Sequence, residues 1–405
     1  MTGAPTSLTL TFPRLATIVA SRFVLNTIFR SSYPLVPFIA ARYGASTTAA
    51  TWIVTVQVLA GLASPLGGWL GDRHGYRQTM LLGLLVACLG VGGVALVDTL
   101  PLLVLSLACV GLGTTLYLPS MQAYVSALTP LAQRGRAFGL VELAWSMAGI
   151  LGVTPVVALA ERSDGLQLPY ATLAILLLVV LVLSWTALPR EARHAHAASR
   201  APSLRHAIRQ PGVRPLLVFF WLVICGTELL FIAQSPWLTD RFGATPQSVG
   251  QALFIFGLGE LVGASLATAF TDRLGKRRAP MAGFAAASLV YMLLPLLSRS
   301  WGSYLLLFAL FGLTFEFGIV ASFALASSVN PAARGTTMAA STLAITTGRA
   351  GGSWIGVRLY ESTNILLNGI VAAVVTWIGL IVAVNGVKSQ ENEHEATESK
   401  AVTNL

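Results

Sequence analysis

The sequence holds 405 residues, of which 55% are hydrophobic and only 10% are charged, and its mean hydropathy is +0.73. About 25% of the residues in a soluble globular domain are charged, so this composition excludes that class and indicates an integral membrane protein. The formal net charge of +10 would suit a nucleic-acid partner only if the basic residues formed one soluble surface.

Apolar stretches of about 20 residues, long enough to cross a bilayer as a helix, recur along the whole chain. In the first half they predict spans at 15–40, 48–70, 78–97, 100–127, 137–159 and 168–188. In the second half they predict spans at 213–238, 248–270, 279–298, 302–328, 336–358 and 364–387. A transmembrane barrel would need alternating apolar and polar residues, whereas runs such as 173–183 are apolar on every face.

The basic residues follow the order of the spans. Of the 26 lysines and arginines, 18 lie in the termini and in the loops after even-numbered spans, five lie in the opposite loops, and three lie inside spans. By the positive-inside rule both termini are predicted to be cytoplasmic, in a plasma (inner) membrane. The net charge therefore indicates topology and contact with anionic lipid, and nucleic acid is not expected as a partner.

The sequence contains an internal repeat. Gly71-Asp72-Arg73-His74-Gly75-Tyr76-Arg77 recurs 200 residues later as Thr271-Asp272-Arg273-Leu274-Gly275-Lys276-Arg277, and Arg134-Gly135 recurs as Arg334-Gly335. The predicted fold is therefore all-α, with twelve transmembrane helices in two pseudo-symmetric six-helix bundles. The predicted regions are a cytoplasmic N-terminus (1–14), an N-terminal domain (15–188), a cytoplasmic connector (189–212), a C-terminal domain (213–387) and a disordered tail (388–405).

Several other kinds of site are not expected. Cys88, Cys109 and Cys225 fall inside spans, which argues against a disulfide framework, and residues 1–14 lack the pattern of a signal peptide. His194 and His196 lie in the connector without further ligands, so no metal is expected. No phosphate loop for ATP occurs, no cofactor is expected, and the chain is predicted not to be an enzyme.

The loop after the second span carries the motif Gly68-Trp69-Leu70-Gly71-Asp72-Arg73-His74-Gly75-Tyr76-Arg77. It resembles the loop signature of the major facilitator superfamily, Gly-x-Leu-x-Asp-Arg-x-Gly-Arg-Arg/Lys. The resemblance covers residues 15–387 and implies a transporter with alternating access that works as a monomer. It also implies that Gly68, Asp72, Arg73, Gly75, Arg77, Asp272, Arg273 and Gly275 form a gating latch between the halves on the cytoplasmic side.

The latch predicts that Asp72→Asn shifts the protein toward its inward-facing state, because Asp72 would no longer place a negative charge at a helix N-terminus. Distances between labelled cysteines at the cytoplasmic ends of the halves would report the shift. An unchanged distance would remove Asp72 from the latch. The family also places an Asp near the cytoplasmic end of helix 4, which is absent here between Tyr117 and Gly135.

Charged residues inside the spans are the predicted substrate and proton-coupling sites, because each costs roughly 2.5 to 3.5 kcal/mol at a helix centre unless it pairs or faces water. Arg22, Asn26 and Arg30 share one stripe of span 1. Glu228 and Glu316 lie midway along spans 7 and 10, which line the central cavity in the resembled family. The full set is Arg22, Asn26, Arg30, Glu142, Glu228, Glu260, Glu316 and Arg349.

Structural pairing is the competing interpretation of these charges. It joins Arg22 with Glu142, and Arg349 with Glu260 or Glu316, as buried ion pairs that fix helix packing. A glutamate in such a cavity would bind a proton more readily as water leaves it and less readily as an arginine approaches. A proton-coupling site requires that competition.

The direction of transport is inferred from helices 4 and 5. Proton antiporters of the family carry an Arg and two glycines in helix 4 and a Gly-x-x-x-Gly-Pro motif in helix 5. Here Gly111 and Gly113 are present, Leu107 replaces the Arg, and helix 5 reads Gly149-Ile150-Leu151-Gly152-Val153-Thr154-Pro155. We predict proton-coupled export of a small, partly apolar organic solute. The alternatives are an uptake symporter for an organic anion, a lipid flippase and a non-transporting membrane scaffold or sensor.

Overall fold

The computed structural model describes residues 10–189, except 33, 45–55 and 58, and residues 209–387, except 245. Most of the predicted connector and all of the predicted tail at 388–405 lie outside these residues. Within the described residues every regular element is helical and no strand occurs. They form two compact units, residues 10–189 and residues 209–387.

The helices follow the predicted spans closely. Unit 1 contains, among the described residues, α1 (Phe12–Ser31), α2 (Val36–Tyr43), α3 (Ser64–His74), α4 (Tyr76–Leu96), α5 (Leu100–Leu128), α6 (Arg134–Met147), α7 (Val153–Ser163) and α8 (Gln167–Ala187). Unit 2 contains α9 (Val213–Phe231), α10 (Gln234–Phe242), α11 (Pro246–Leu274), α12 (Arg278–Leu297), α13 (Trp301–Val329), α14 (Arg334–Ser362) and α15 (Ile365–Gly386). A 3₁₀ turn precedes α6 (Leu131–Gln133) and α14 (Pro331–Ala333), and another precedes α3 (Ala60–Ala63).

The two units use the same helix pairs. In unit 1, α1 packs against α6 and α8, α4 packs against α5 and α8, and α3 packs against α5. In unit 2, α9 packs against α14 and α15, α12 packs against α13 and α15, and α11 packs against α13. Each pair in one unit is the counterpart of a pair in the other, so the repeat in the sequence is also a repeat in the packing.

Nine helical segments in the described part of the chain are long and apolar enough to cross a membrane. They correspond to predicted spans 3 to 10 and 12. Three predicted spans, 1, 2 and 11, are not among these nine segments, for different reasons. Span 1 carries Arg22 and Arg30, part of span 2 lies outside the described residues, and span 11 (α14) is rich in serine, threonine and glycine and holds Arg349. Such polar helices are tolerated in a membrane where they pack inside a bundle or face water.

Spans 1 and 7 are each interrupted at the same place, which corrects the treatment of each span as one helix. In span 1, α1 ends at Ser31 and α2 begins at Val36. In span 7, α9 ends at Phe231 and α10 begins at Gln234. Pro34 and Pro236 explain the breaks, because proline has no N–H to offer the carbonyl four residues earlier.

Candidate functional site

The Arg22 side chain of α1 donates a hydrogen bond from Nη2 to Glu142 Oε2 of α6. Their side chains are only 8% and 5% exposed, so the pair lies inside unit 1. Since a lone charge in the membrane interior is costly, each residue stabilises the other there. The predicted pairing of these two residues is confirmed.

Arg30 lies two helical turns further along α1 and contacts Trp145. Its guanidinium carbon is 4.7 Å from the centroid of the indole ring, within the range of a cation–π interaction. Its Nη1 also donates to the Trp145 carbonyl oxygen at 3.4 Å. A Cβ on Gly149 would lie 2.9 Å from the guanidinium carbon, so the absence of a side chain at Gly149 leaves space that the Arg30 side chain occupies.

The helix that faces α1 changes its winding next to Arg30. Residues Ala148–Gly152 form a π-helical segment between α6 and α7. Pro155 follows within one turn and cannot donate to the carbonyl of residue 151, so the wider winding accommodates the missing hydrogen bond. Gly152 in this segment packs directly against the Thr27 side chain. The glycines of span 5 thus allow this helix to pack closely against α1.

In unit 2 the corresponding helix pair holds a second ion pair. Arg349 Nε of α14 lies 3.4 Å from Glu228 Oε2 of α9. Ser353, one turn beyond Arg349, donates from Oγ to Glu228 Oε1 at 3.1 Å. The Glu228 side chain is 12% exposed, whereas the Arg349 side chain is 51% exposed. The Glu228 carboxylate is therefore largely buried between Arg349 and Ser353, and the Arg349 side chain extends beyond the interface of α9 and α14.

Three glycines of α14 bring the two helices together. A Cβ on Gly348, Gly352 or Gly356 would lie 2.5 to 2.7 Å from a backbone carbonyl oxygen of α9. Because these positions repeat every four residues, they form one face of α14 that contacts the backbone of α9 directly. Arg349 and Ser353 each follow one of these glycines, and the close approach carries both side chains to Glu228.

The partner of Arg349 differs from the prediction. Sequence analysis paired it with Glu260 or Glu316, but its ion pair is to Glu228. Glu260 lies buried on α11 and Glu316 lies buried on α13. These two helices pack against each other, whereas α14 packs mainly against α9. Helix order in the sequence does not reveal these pairings, so the error arose from the choice of helix.

The mid-span residues Arg30 and Glu228 each lie next to a helix break. Arg30 is the second-last residue of α1, and Glu228 lies three residues before the end of α9. Interrupted helices in transporters commonly frame binding sites near the membrane centre. Sequence reasoning missed both breaks, although Pro34 and Pro236 were visible signals.

The repeated loop motif makes local contacts in both units. Gly75 (φ 104°) and Gly275 (φ 88°) adopt positive φ values, which only glycine adopts without strain in this region, and so permit the tight turn into the next helix. Tyr76 donates from Oη to Asp72 Oδ1 at 2.8 Å. Arg73 and Arg273 lie over the rings of an aromatic residue one turn before them.

Arg77 of the motif caps the last helix of its own unit. Its Nε donates to the Leu188 carbonyl oxygen at 2.7 Å, and its Nη2 donates to the Trp185 carbonyl oxygen at 2.5 Å. Arg277 donates to the Val384 carbonyl oxygen at the end of α15 in the same manner. A cation suits the negative end of the helix dipole and satisfies carbonyls that have no intrahelical partner. The predicted latch role of the motif residues stays a prediction.

A family model matches the chain at residues 18–232 and again at residues 216–403, and its description is Major Facilitator Superfamily. The chain belongs to this superfamily. The two matches together cover both units, so the family assignment applies to the whole fold and not to one part of it. The predicted fold class is confirmed.

Relatives of this superfamily member include an uncharacterised MFS-type transporter, YceJ, of Bacillus subtilis, 23% identical over 84% of the chain and 88% of the relative. The chloramphenicol resistance protein of Streptomyces lividans is 27% identical over 79% of the chain and 86% of the relative. Among solved structures, the human organic anion transporter MFSD10 has a TM-score of 0.74 at 16% identity, and the match covers 92% of the chain and all of that structure. This structural likeness supports the fold.

Membership of the superfamily makes the chain a multi-pass membrane transport protein, and the prediction that it is not an enzyme is confirmed. Transporters of this superfamily carry small molecules, often together with protons. The two ion pairs therefore lie in a protein that moves solutes, and their chemistry has to be considered in relation to transport.

Proposed function

We propose that this transporter exports a small, partly apolar organic solute in exchange for protons, and that Glu228 binds the coupling proton. The observation that carries the proposal is the Glu228–Arg349 pair, in which the carboxylate is buried and half of the arginine side chain is exposed. Because a cation in contact with lipid would be costly, the exposed part of Arg349 requires a watery environment within the protein. A proton or a solute in that environment has access to the pair.

The pair permits an exchange of partners. While Arg349 stays close, it stabilises the negative charge on Glu228, and Ser353 adds a hydrogen bond. When Arg349 is drawn away, a charged Glu228 is left buried, and proton binding removes that charge. Exchange requires that the solute and the proton exclude each other. A solute that holds Arg349 against the charged Glu228 favours loss of the proton, and proton binding to Glu228 favours release of the solute. Arg349, Ser353 and Glu228 together provide the coupling in this scheme.

The direction of transport is supported by the relatives. A membrane transporter that confers resistance to chloramphenicol must lower the concentration of that drug inside the cell, and one of the relatives is named for this resistance. We extend the same direction to this chain, with both termini in the cytoplasm, a plasma-membrane location and a monomer as the working unit. Glu260, Glu316 and Asn26 remain candidates for contact with the solute.

Transport assays in membrane vesicles test the proposal, with radiolabelled chloramphenicol as the first probe and further solutes chosen by thermal shift of the purified protein. We expect an imposed proton gradient to drive accumulation in everted vesicles and a protonophore to abolish it. A reporter fused after Arg200 establishes the orientation of the chain and is expected on the cytoplasmic side. Accumulation of an organic anion in right-side-out vesicles, driven by inward proton flow, would instead indicate an uptake symporter.

A further inference from the structure

The interface between α1 and α6 in unit 1 contains more polar groups than its ion pair uses. Arg22, Asn26, Thr27, Glu142 and Ser146 are each at most 7% exposed. In each of them one buried side-chain atom has no hydrogen-bond partner among the described residues: Arg22 Nε, Asn26 Nδ2, Thr27 Oγ1, Glu142 Oε1 and Ser146 Oγ. We call these five residues the α1–α6 polar interface.

Helix geometry places these atoms along one line of contact. Arg22 meets Glu142, Arg30 meets Trp145, and Thr27 meets Gly152. Asn26 lies one turn from Arg22, and Ser146 lies one turn from Glu142, so both lie on the same contacting faces. The polar contacts between α1 and α6 therefore extend from the depth of Glu142 in the membrane to the depth of Arg30.

Unpartnered buried polar atoms are destabilising, because each has lost its hydrogen bonds to water without gaining another. Arg22 and Glu142 share one hydrogen bond. Arg22 Nε and Glu142 Oε1 have no hydrogen-bond partner among the described residues. Glu142 Oε1 thus combines a negative charge, burial and an open acceptor position.

Few other titratable groups face Glu142 in the described structure. Arg22 and Arg30 approach from α1, and α6 carries Arg134 and Arg136 two turns before Glu142. Helix α5 has no Asp, Glu, Lys, Arg or His, although its Tyr117 lies within reach of Arg22. The π-helical segment has none either, and Glu161 and Arg162 lie at the far end of α7. The charge of Glu142 is therefore balanced chiefly by Arg22.

We propose that Glu142 is a second proton-binding site, and that its protonation admits water to the α1–α6 polar interface. A hydronium ion gives its proton to Glu142 Oε1 and leaves as water, and the carboxylate becomes a neutral acid. Arg22 then has no anion beside it, so its charge requires hydration. Water entering the line of polar groups supplies that hydration and also partners for Asn26, Thr27 and Ser146.

The test measures how readily a small thiol reagent reaches this interface. Ser146→Cys is introduced after the natural Cys88, Cys109 and Cys225 have been replaced, and its reaction rate with aminoethyl methanethiosulfonate is compared at pH 5.5 and pH 8. Each rate is divided by that of the exposed Ser163→Cys variant, which removes the intrinsic pH dependence of the thiol. We expect the normalised rate to rise toward low pH, by up to about tenfold per pH unit for one proton site.

Three further variants identify the group that titrates. Glu142→Gln mimics the neutral acid, so labelling should be fast at both pH values, whereas the exposed control Glu161→Gln should keep the wild-type response. The double variant Arg22→Gln/Glu142→Gln has no charge to hydrate and should label slowly at both pH values, even if Glu142→Gln alone folds poorly. A pH-independent rate in the parent protein, or a pH response that survives the double variant, would overturn the proposal.

This site is separate from the proposed coupling role of Glu228. Glu228→Gln should leave the pH response at residue 146 unchanged, because Glu228 lies in the other unit. Loss of that response in Glu228→Gln would also overturn the independence of the two sites. Failure of proton-driven transport in Glu228→Gln says nothing against Glu142, so the two proposals succeed or fail separately.

Discussion

Glu228→Gln is expected to abolish proton-driven accumulation of substrate, while substrate binding persists but no longer responds to pH. Glutamine keeps the size of the side chain and its hydrogen bond with Ser353, but it cannot take up or release a proton. In a one-for-one exchange the wild-type protein can accumulate substrate about tenfold for each pH unit of gradient. The variant should give a ratio near one, although exchange of labelled for unlabelled substrate continues.

The comparison separates coupling from folding. A purely structural Glu228 would lower expression and binding together with transport, because Arg349 would lose its anionic partner and the helix pair would weaken. Glu161→Gln, at an exposed position of α7, serves as the control and should transport normally. If Glu228→Gln and Glu316→Gln both still accumulate substrate against a pH gradient, the coupling proton binds elsewhere, with Glu142 and Glu260 as the next candidates.

Gly352→Ala is expected to lower the stability of unit 2 by about 1–3 kcal/mol, the usual cost of overpacking a close contact. The added Cβ would lie 2.5 Å from the Cys225 carbonyl oxygen and 2.8 Å from the Glu228 Cβ. Backbone cannot move aside as a flexible side chain can, so α9 and α14 must separate. Thermal unfolding of the purified protein should show a melting temperature several degrees below that of the wild-type protein.

Two glycines provide matched controls for this substitution. Gly351 is the neighbouring residue of α14, and its Cβ would meet only the Trp221 side chain at 3.3 Å. Gly257 lies within α11, and its Cβ would meet nothing within 4 Å. Both alanine variants should melt near the wild-type temperature. If Gly352→Ala does so as well, the glycine face does not determine how closely α9 and α14 approach, and the placement of Arg349 needs another explanation.

Much of the fold was accessible from the sequence because lipid imposes a strong pattern. Length and apolarity located the spans, and the repeated Asp-Arg motif marked the two bundles. The Arg22–Glu142 pair was accessible as well, since two buried opposite charges at a similar depth in one bundle had few other partners. These inferences needed only composition, spacing and the cost of an unpaired charge.

The remaining features depend on which helices touch. Arg349 could be assigned to Glu228 only after the face formed by Gly348, Gly352 and Gly356 was seen to contact α9. The sequence does not reveal the role of Arg77 at the end of α8, because its acceptors are backbone carbonyls, which have no signature in the sequence. The π-helical segment at Ala148–Gly152 depends on local winding, which glycine spacing alone does not specify.

The break between α1 and α2 divides span 1 into two helices of unequal length. Helix α1 has 20 residues, whereas helix α2 has 8 residues and a length of about 12 Å. Unit 2 is divided in the same way, because α9 has 19 residues and α10 has 9. In each unit the mid-span charge, Arg30 or Glu228, therefore lies near the end of the long helix, where the short helix follows.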